Sequence, residues 1–258
     1  MKFIAIIGSP RKGDTLEAVR RLEAEMKKHG SAEFEYVMLS QVALRDCTGC
    51  HNCIMKGRET CREAEKIREL QEKIVSADAV ILASPVYNQG VTAIMKKFLD
   101  YFTFLWHRPE LFGVKFFGVA AGGGMFKEVF QTMKSNVLSW GGQWLGSLGT
   151  PHYDALTSKF KTKVDKDFAK QAAFLMKAAA VKELPRPTVA RLMSFRMWQM
   201  NAALAFSPAD REHWEARGWL ARGCRYFYPA RVNPIANAMA VAAVGIARRF
   251  LRGIYVGY

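Results

Sequence analysis

Four cysteines, Cys47, Cys50, Cys53 and Cys61, fall within fifteen residues in the pattern Cys-x2-Cys-x2-Cys-x7-Cys. Three thiolates at x2 spacing reach one cubane, and a fourth a short distance on completes the set for a [4Fe-4S] cluster, as in ferredoxin-type runs, although the familiar proline after the last ligand is missing. Two other readings stand beside this one. A structural zinc site also takes four sulfurs but prefers two separated Cys-x2-Cys pairs, and the thiols are otherwise simply free. In a reducing compartment such a cluster is more often a metal or redox site than a disulfide framework. His51 inside the loop reads as solvent-facing, and Cys224 stands alone as a structural residue.

A second set of chemistry-bearing residues follows an apolar run. Gly8-Ser9-Pro10-Arg11-Lys12-Gly13-Asp14-Thr15 joins a strand pattern to a helix start. A phosphate docked there meets backbone N–H groups of the helix N-terminus, the hydroxyls of Ser9 and Thr15, and a guanidinium, a combination suited to a terminal phosphomonoester. The loop is neither G-x-G-x-x-G nor a Walker A motif, so it indicates neither a dinucleotide fold nor an NTPase; the plain alternative is an ordinary strand-to-helix turn. A second such loop, Ser84-Pro85-Val86-Tyr87-Asn88-Gln89-Gly90-Val91, offers an aromatic plane at Tyr87 and hydrogen-bonding groups at Asn88 and the backbone, which suit a flat heteroaromatic ring. A third, Ala121-Gly122-Gly123-Gly124-Met125, permits close approach of backbone to a ligand, or is a flexible turn.

These loops need a scaffold, and the hydropathy pattern supplies one. Strands are expected over 2–7, 33–39, 80–84, 115–121 and 145–150, and helices over 15–29, 63–75, 91–105, 126–140 and 160–182. Strands alternating with helices predict a parallel sheet covered on both faces, with ligands bound beyond the carboxyl ends of the strands. Pro185-Arg186-Pro187 breaks the pattern. We therefore expect a first domain over 1–185, with the Cys-rich loop 47–61, and a basic helical extension over 186–258.

With these loops in hand, the chain resembles the NADPH-dependent FMN reductase and iron-sulfur flavoprotein group. The resemblance rests on Gly-Ser-Pro-Arg…Thr, on Ser-Pro-Val-Tyr…Gly, and on Lys97-Phe98-Leu99-Asp100, and it covers roughly residues 1–182. It implies a flavodoxin-like three-layer α/β/α sandwich around a five-stranded parallel sheet. It further implies that Ser9, Arg11, Gly13 and Thr15 bind the FMN phosphate, and that Pro85, Val86, Tyr87, Asn88 and Gly90, with Gly122, Gly123 and Gly124, line the isoalloxazine. Asp14 departs from the pattern, since the family usually has Asn before this Thr; a carboxylate beside a dianion weakens binding unless it turns away to cap the helix. The group also shows Cys-x2-Cys-x2-Cys with a later fourth cysteine at this place in the fold.

The implied activity is an FMN-dependent NAD(P)H oxidoreductase of the flavin or quinone reductase type, with NAD(P)H as co-substrate stacking on the flavin and Arg11 or Lys12 attracting its phosphates. The protein's part is to position the ring, with no catalytic acid or base required. The alternative is an iron-sulfur flavoprotein carrying electrons between redox proteins through a cluster on Cys47, Cys50, Cys53 and Cys61. A rival from another class is a binding protein without flavin. Acceptors are small molecules or proteins, and homo-oligomers are usual in the family.

The chain is 258 residues long, carries a formal charge of +15 and is 50% hydrophobic, which excludes disorder and small disulfide scaffolds. Residues 186–258 hold 11 Arg, no Lys and 3 acidic residues, a net +8, which leaves +7 for the rest. The first 185 residues offer no helix-turn-helix, zinc-finger spacing or RNA-binding aromatic signature, so no nucleic-acid partner is expected. Phe3 to Ile7 is too short for a secretory signal, so a cytoplasmic location is expected. Within the extension, Met193, Met197, Met200 and Leu204 form a stripe, with Phe195, Trp198 and Phe206 close by, on a helix over 188–206 that reads as core. Ser207-Pro208 starts a short helix ending before Gly218. Asn233-Pro234 starts the last one, through Ala247. Val232 to Ala247, interrupted by Asn233, Pro234 and Asn237, is no transmembrane span. Followed by Arg248-Arg249-Phe250-Leu251-Arg252, it resembles an interfacial helix with a basic anchor, a candidate peripheral membrane contact; burial against the flavin domain or a sister subunit is the plainer reading.

Overall fold

The computed structural model describes residues 1–254; residues 255–258, the last four of the expected extension, lie outside the described residues. The strands are β1 (Lys2–Ile7), β2 (Glu33–Met38), β3 (Ala79–Pro85), β4 (Lys115–Ala121) and β5 (Gln143–Thr150). The helices are α1 (Asp14–Lys27), α2 (Leu39–Val42), α3 (Asn52–Met55), α4 (Ala64–Ser76), α5 (Ala93–Tyr101), α6 (Phe104–His107), α7 (Phe126–Ser139), α8 (Ser158–Ala180), α9 (Val189–Ala203), α10 (Pro208–Ala216) and α11 (Pro234–Leu251). Two compact units contain them. One is Met1–Gly49 with Arg62–Glu183; the other is Cys50–Cys61 with Leu184–Tyr258. The sequence places the Cys-rich loop whole in the first domain, whereas the structure groups residues 50–61 with the second unit.

In the first unit all neighbouring strands pair parallel in the order β2-β1-β3-β4-β5. Because both faces are covered, the inner strands are apolar throughout: Phe3 to Ile7 are fully buried. Phe3, Ala5 and Ile7 share one face with Ile81, Val119, Leu22 and Met26 of α1, and Phe168 and Leu175 of α8. Against the other face, Trp140 packs on Phe98, Phe102 and Phe116, with ring centroids 5.3–6.2 Å apart. The expected helix over 91–105 is two helices, α5 and α6, broken at Phe102-Thr103.

The second unit has its own aromatic core. Phe195 stacks on Trp214 at 5.7 Å, and Phe227 sets its edge against both Phe195 and Trp219 at 4.8 Å. Trp219 donates its indole N–H to the carbonyl of Phe227 at 3.0 Å, so the buried ring leaves no donor unpaired. Of the expected Met and aromatic stripe, Phe195 is in this core and the methionines are not. On α9 the buried residues are Leu192, Phe195 and Ala202, while Met193 is 39% exposed and Met197, Met200 and Leu204 are half-buried. Cys224 is half-buried. The last helix also runs past Ala247 to Leu251, long and apolar enough by length and composition to cross a membrane.

Candidate functional site

The strand order reverses direction between β1 and β3, and the loops leaving these two strands open a crevice where this architecture places ligands. The first loop is pinned at its start: Gly8 donates its N–H to Ala83 O at 2.7 Å. A Cβ on Gly8 would lie 2.6 Å from Met95 Cβ, so only glycine lets α5 approach this closely. Thr92, buried at the start of α5, donates its hydroxyl to Gly8 O and accepts the Met95 N–H at 3.1 Å. Ser9, buried, donates to Arg11 O at 2.8 Å and shapes the turn.

The loop ends at Gly13, the N-cap of α1, in an extended conformation with no side chain capping the helix. Uncapped first-turn amides and the positive end of the helix dipole are what an anion needs. Thr15 is buried there, and Arg11 and Lys12 are exposed at the rim. Asp14 does not cap the helix. Its carboxylate lies 2.9 Å from Nδ1 of His152, which follows β5, so it is drawn sideways toward a group of opposite charge when the imidazole is protonated.

Beyond β3, Tyr87 and Gly90 exchange backbone hydrogen bonds, each at 3.0 Å, across Asn88 and Gln89, whose φ values are 44° and 67°. Two consecutive left-handed residues make a type I′ turn, a conformation unfavourable for Gln and of the kind that concentrates at ligand sites. The turn presents Tyr87, 45% exposed, beside half-buried Pro85 and Val86. Val86 N–H bonds to Ala121 O at 2.9 Å and Gly122 N–H to Thr150 O at 3.1 Å, which binds the third loop to the second. Gly122 has φ 157°, and a Cβ there would meet Val86 at 3.1 Å; Gly123 and Gly124 face open space. Ser9, Arg11 and Gly13 thus share one loop with Thr15 in the first turn of α1, and Pro85–Gly90 and Gly122–Gly124 lie at the ends of β3 and β4. The buried hydroxyls, the uncapped helix end and the glycine cradle fit a phosphate with an attached flat ring. Thr92 and His152 were not singled out from sequence. Thr92 has a signal, a hydroxyl ahead of a helical run; His152 has none.

The Cys-rich segment has a clasped stem. Arg45 donates to Arg62 O at 2.8 Å and binds the carboxylate of Glu63, which Lys66 also contacts at 3.0 Å. Glu63 is buried, and its hydrogen bond with Arg45 holds its carboxyl below the ordinary value of 4.5. Lys97 pairs with Asp46 at 2.7 Å and donates to Leu44 O at 3.1 Å, so this lysine of the Lys-Phe-Leu-Asp run secures the stem from α5. Within the second unit, α3 packs on α10, and the hydroxyl of Ser207 donates to Ile54 O at 2.8 Å. His51 is exposed with φ 59°.

No disulfide joins the five cysteines; Cys47 and Cys50 are exposed, and Cys53 and Cys61 half-buried. Among the described residues no three His, Cys, Asp or Glu side chains are gathered as a metal site requires.

A five-stranded parallel sheet in this order, with helices following its strands, defines a flavodoxin-like α/β protein. The chain belongs to the NADPH-dependent FMN reductase family, whose model matches residues 1–144. An iron-sulfur flavoprotein of Archaeoglobus fulgidus is 40% identical over 146 residues, covering 55% of this chain and 64% of that protein. Another from Methanocaldococcus jannaschii is 38% identical over 101 residues, 39% of this chain and 51% of that one. The chain therefore spans about half to two-thirds of the length of these relatives. Among solved structures, an FMN-dependent NADH-azoreductase from Bacillus anthracis in complex with FMN superposes with a TM-score of 0.53 at 14% identity. It covers 68% of this chain and all of its own, and shows the fold.

Proposed function

We propose that the protein is an FMN-dependent oxidoreductase that takes electrons from NAD(P)H and passes them to a small-molecule or protein acceptor. The carrying observation is the juxtaposition of the uncapped α1 N-terminus with the strained Asn88-Gln89 turn across the β1/β3 switch point. FMN, when bound, supplies hydride acceptance and one- or two-electron transfer. The chain's own residues do the positioning. Ser9, Thr15 and the amides after Gly13 hold the phosphate, with Arg11 offsetting its charge. Tyr87, the Pro85–Gly90 backbone and Gly122–Gly124 hold the ring plane. Arg11 and Lys12 also attract the nicotinamide nucleotide's phosphates. The reading includes a homo-oligomer, usual for the family. The test is the visible spectrum of freshly purified protein with NADH and NADPH oxidation assays. Flavin absorbance that bleaches anaerobically on adding either nucleotide supports the reading, and a colourless protein that fails to take up FMN overturns it.

A second reading is favoured by the Cys-x2-Cys-x2-Cys-x7-Cys spacing and by the names of the relatives: the loop takes up an iron-sulfur cluster, and the protein serves as an electron carrier. Metal analysis of anaerobically purified protein separates the two, with about four irons per chain expected for a cubane.

A further inference from the structure

The last helix, α11, has two unlike faces. One is committed within its own unit: Ala240 and Val244 are buried where it packs along α9, and Arg196 of α9 donates to Asn237 Oδ1 at 2.8 Å. On the other face Ile235, Met239, Ile246 and Phe250 recur at helical spacing and are 73%, 56%, 72% and 69% exposed. Large apolar side chains in such a row mark an interaction surface.

The surrounding charge identifies what covers it. From Ala216 to the last residue the chain has seven Arg, no Lys and no acidic residue, and three of those Arg, at 248, 249 and 252, sit at the carboxyl end of α11. On the flank between the two faces, a groove of about 490 Å³ is lined by Arg196 and Arg248 with Met200, Leu204, Val241 and Gly245. An apolar stripe with arginines along one flank and at its carboxyl end, and no acidic residue from Ala216 on, matches an acyl layer beneath phosphate headgroups. A protein partner of ordinary composition calls for mixed charge, and a nucleic acid leaves the stripe uncovered.

We propose that α11 docks the protein on an anionic lipid surface, with Ile235, Met239, Ile246 and Phe250 entering the acyl boundary and the arginines engaging lipid phosphates. The helix is about 27 Å long. Because one face is already packed on α9, it lies along the membrane plane rather than crossing it.

The test is co-sedimentation of the 258-residue chain with vesicles of phosphatidylcholine alone or mixed with phosphatidylglycerol. Wild type is expected to sediment with the mixed vesicles, weakly with the neutral ones, and less as salt rises. The double variant Ile246→Asn/Phe250→Asn, altered only at exposed positions, loses at least about tenfold in binding. Arg249→Gln/Arg252→Gln loses roughly fivefold per charge. Free inorganic phosphate does not compete. Equal sedimentation of wild type and both variants, or none of wild type, overturns the proposal. So does a change in oligomeric state of the apolar variant without vesicle binding by wild type, which assigns the stripe to a second copy. Unchanged thermal melting of both variants confirms that the loss is at the surface.

Discussion

Ser207 donates its hydroxyl to the carbonyl of Ile54 at 2.8 Å across 153 residues of chain, while the same oxygen caps α10 by accepting the Asp210 N–H at 3.0 Å. One buried side chain thus begins a helix of the extension and fastens the short helix that carries Cys53. Ser207→Ala removes both bonds. We expect a loss of about 1 kcal/mol of stability and faster alkylation of Cys53 and Cys61, read by thermal unfolding and timed thiol labelling. Unchanged labelling would show that Ser207 acts as a cap alone.

At the phosphate loop, the Asp14–His152 pair decides how much negative charge faces a bound anion. Asp14→Asn, which removes that charge, is expected to tighten FMN about two- to fivefold. His152→Ala leaves the carboxylate without its partner and is expected to weaken FMN. Fluorescence titration of the apoprotein measures both, and a weaker Asp14→Asn complex would show that the carboxylate contributes to binding instead.

Two glycines of the same loop make opposite demands. Gly8→Ala forces a Cβ to within 2.6 Å of Met95 Cβ and is expected to cost about 1–3 kcal/mol, with weakened flavin retention. Gly13 has φ −126°, and a Cβ there meets nothing nearer than Arg11 at 3.8 Å, so Gly13→Ala should fold normally. Chemical denaturation of the two variants side by side checks the contrast.

Glu63 links stability to acid. Its carboxyl is held below 4.5 in the folded protein, chiefly by Arg45, so its contribution is fully present above the unfolded value and disappears as pH falls through the folded one. Glu63→Gln is expected to lower stability at neutral pH and to flatten the decline below about pH 4.5. Melting curves across pH 3–7 for both proteins test this, and parallel curves would contradict it.

Much of the sheet was legible because burial on both faces leaves a run that needs no long-range information. Lys115–Ala121 is a strand at the expected bounds, and the Ser207-Pro208 helix start carries local chemistry. What escaped depends on distant partners. A four-residue helix at Asn52–Met55 has too few internal bonds to announce itself and is held by Ser207. The core of the extension joins Phe195 to Trp214, Trp219 and Phe227, which share no period, whereas the periodic Met stripe proved half-exposed. The loops after β1, β3 and β4 could be marked from residue types; their hydrogen-bonded alignment, and the His152 contact, required the fold.

The second unit draws on two stretches of chain separated by most of the first. At about 5–20 residues per second, a ribosome finishing the sequence leaves the Cys50–Cys61 segment waiting about 8–30 s for Ser207 to be synthesised. During that interval the nascent thiols meet the surrounding solution with no counterpart to shelter them. Whatever first reacts with this segment, whether metal, oxidant or another thiol, has its opportunity before the chain is complete.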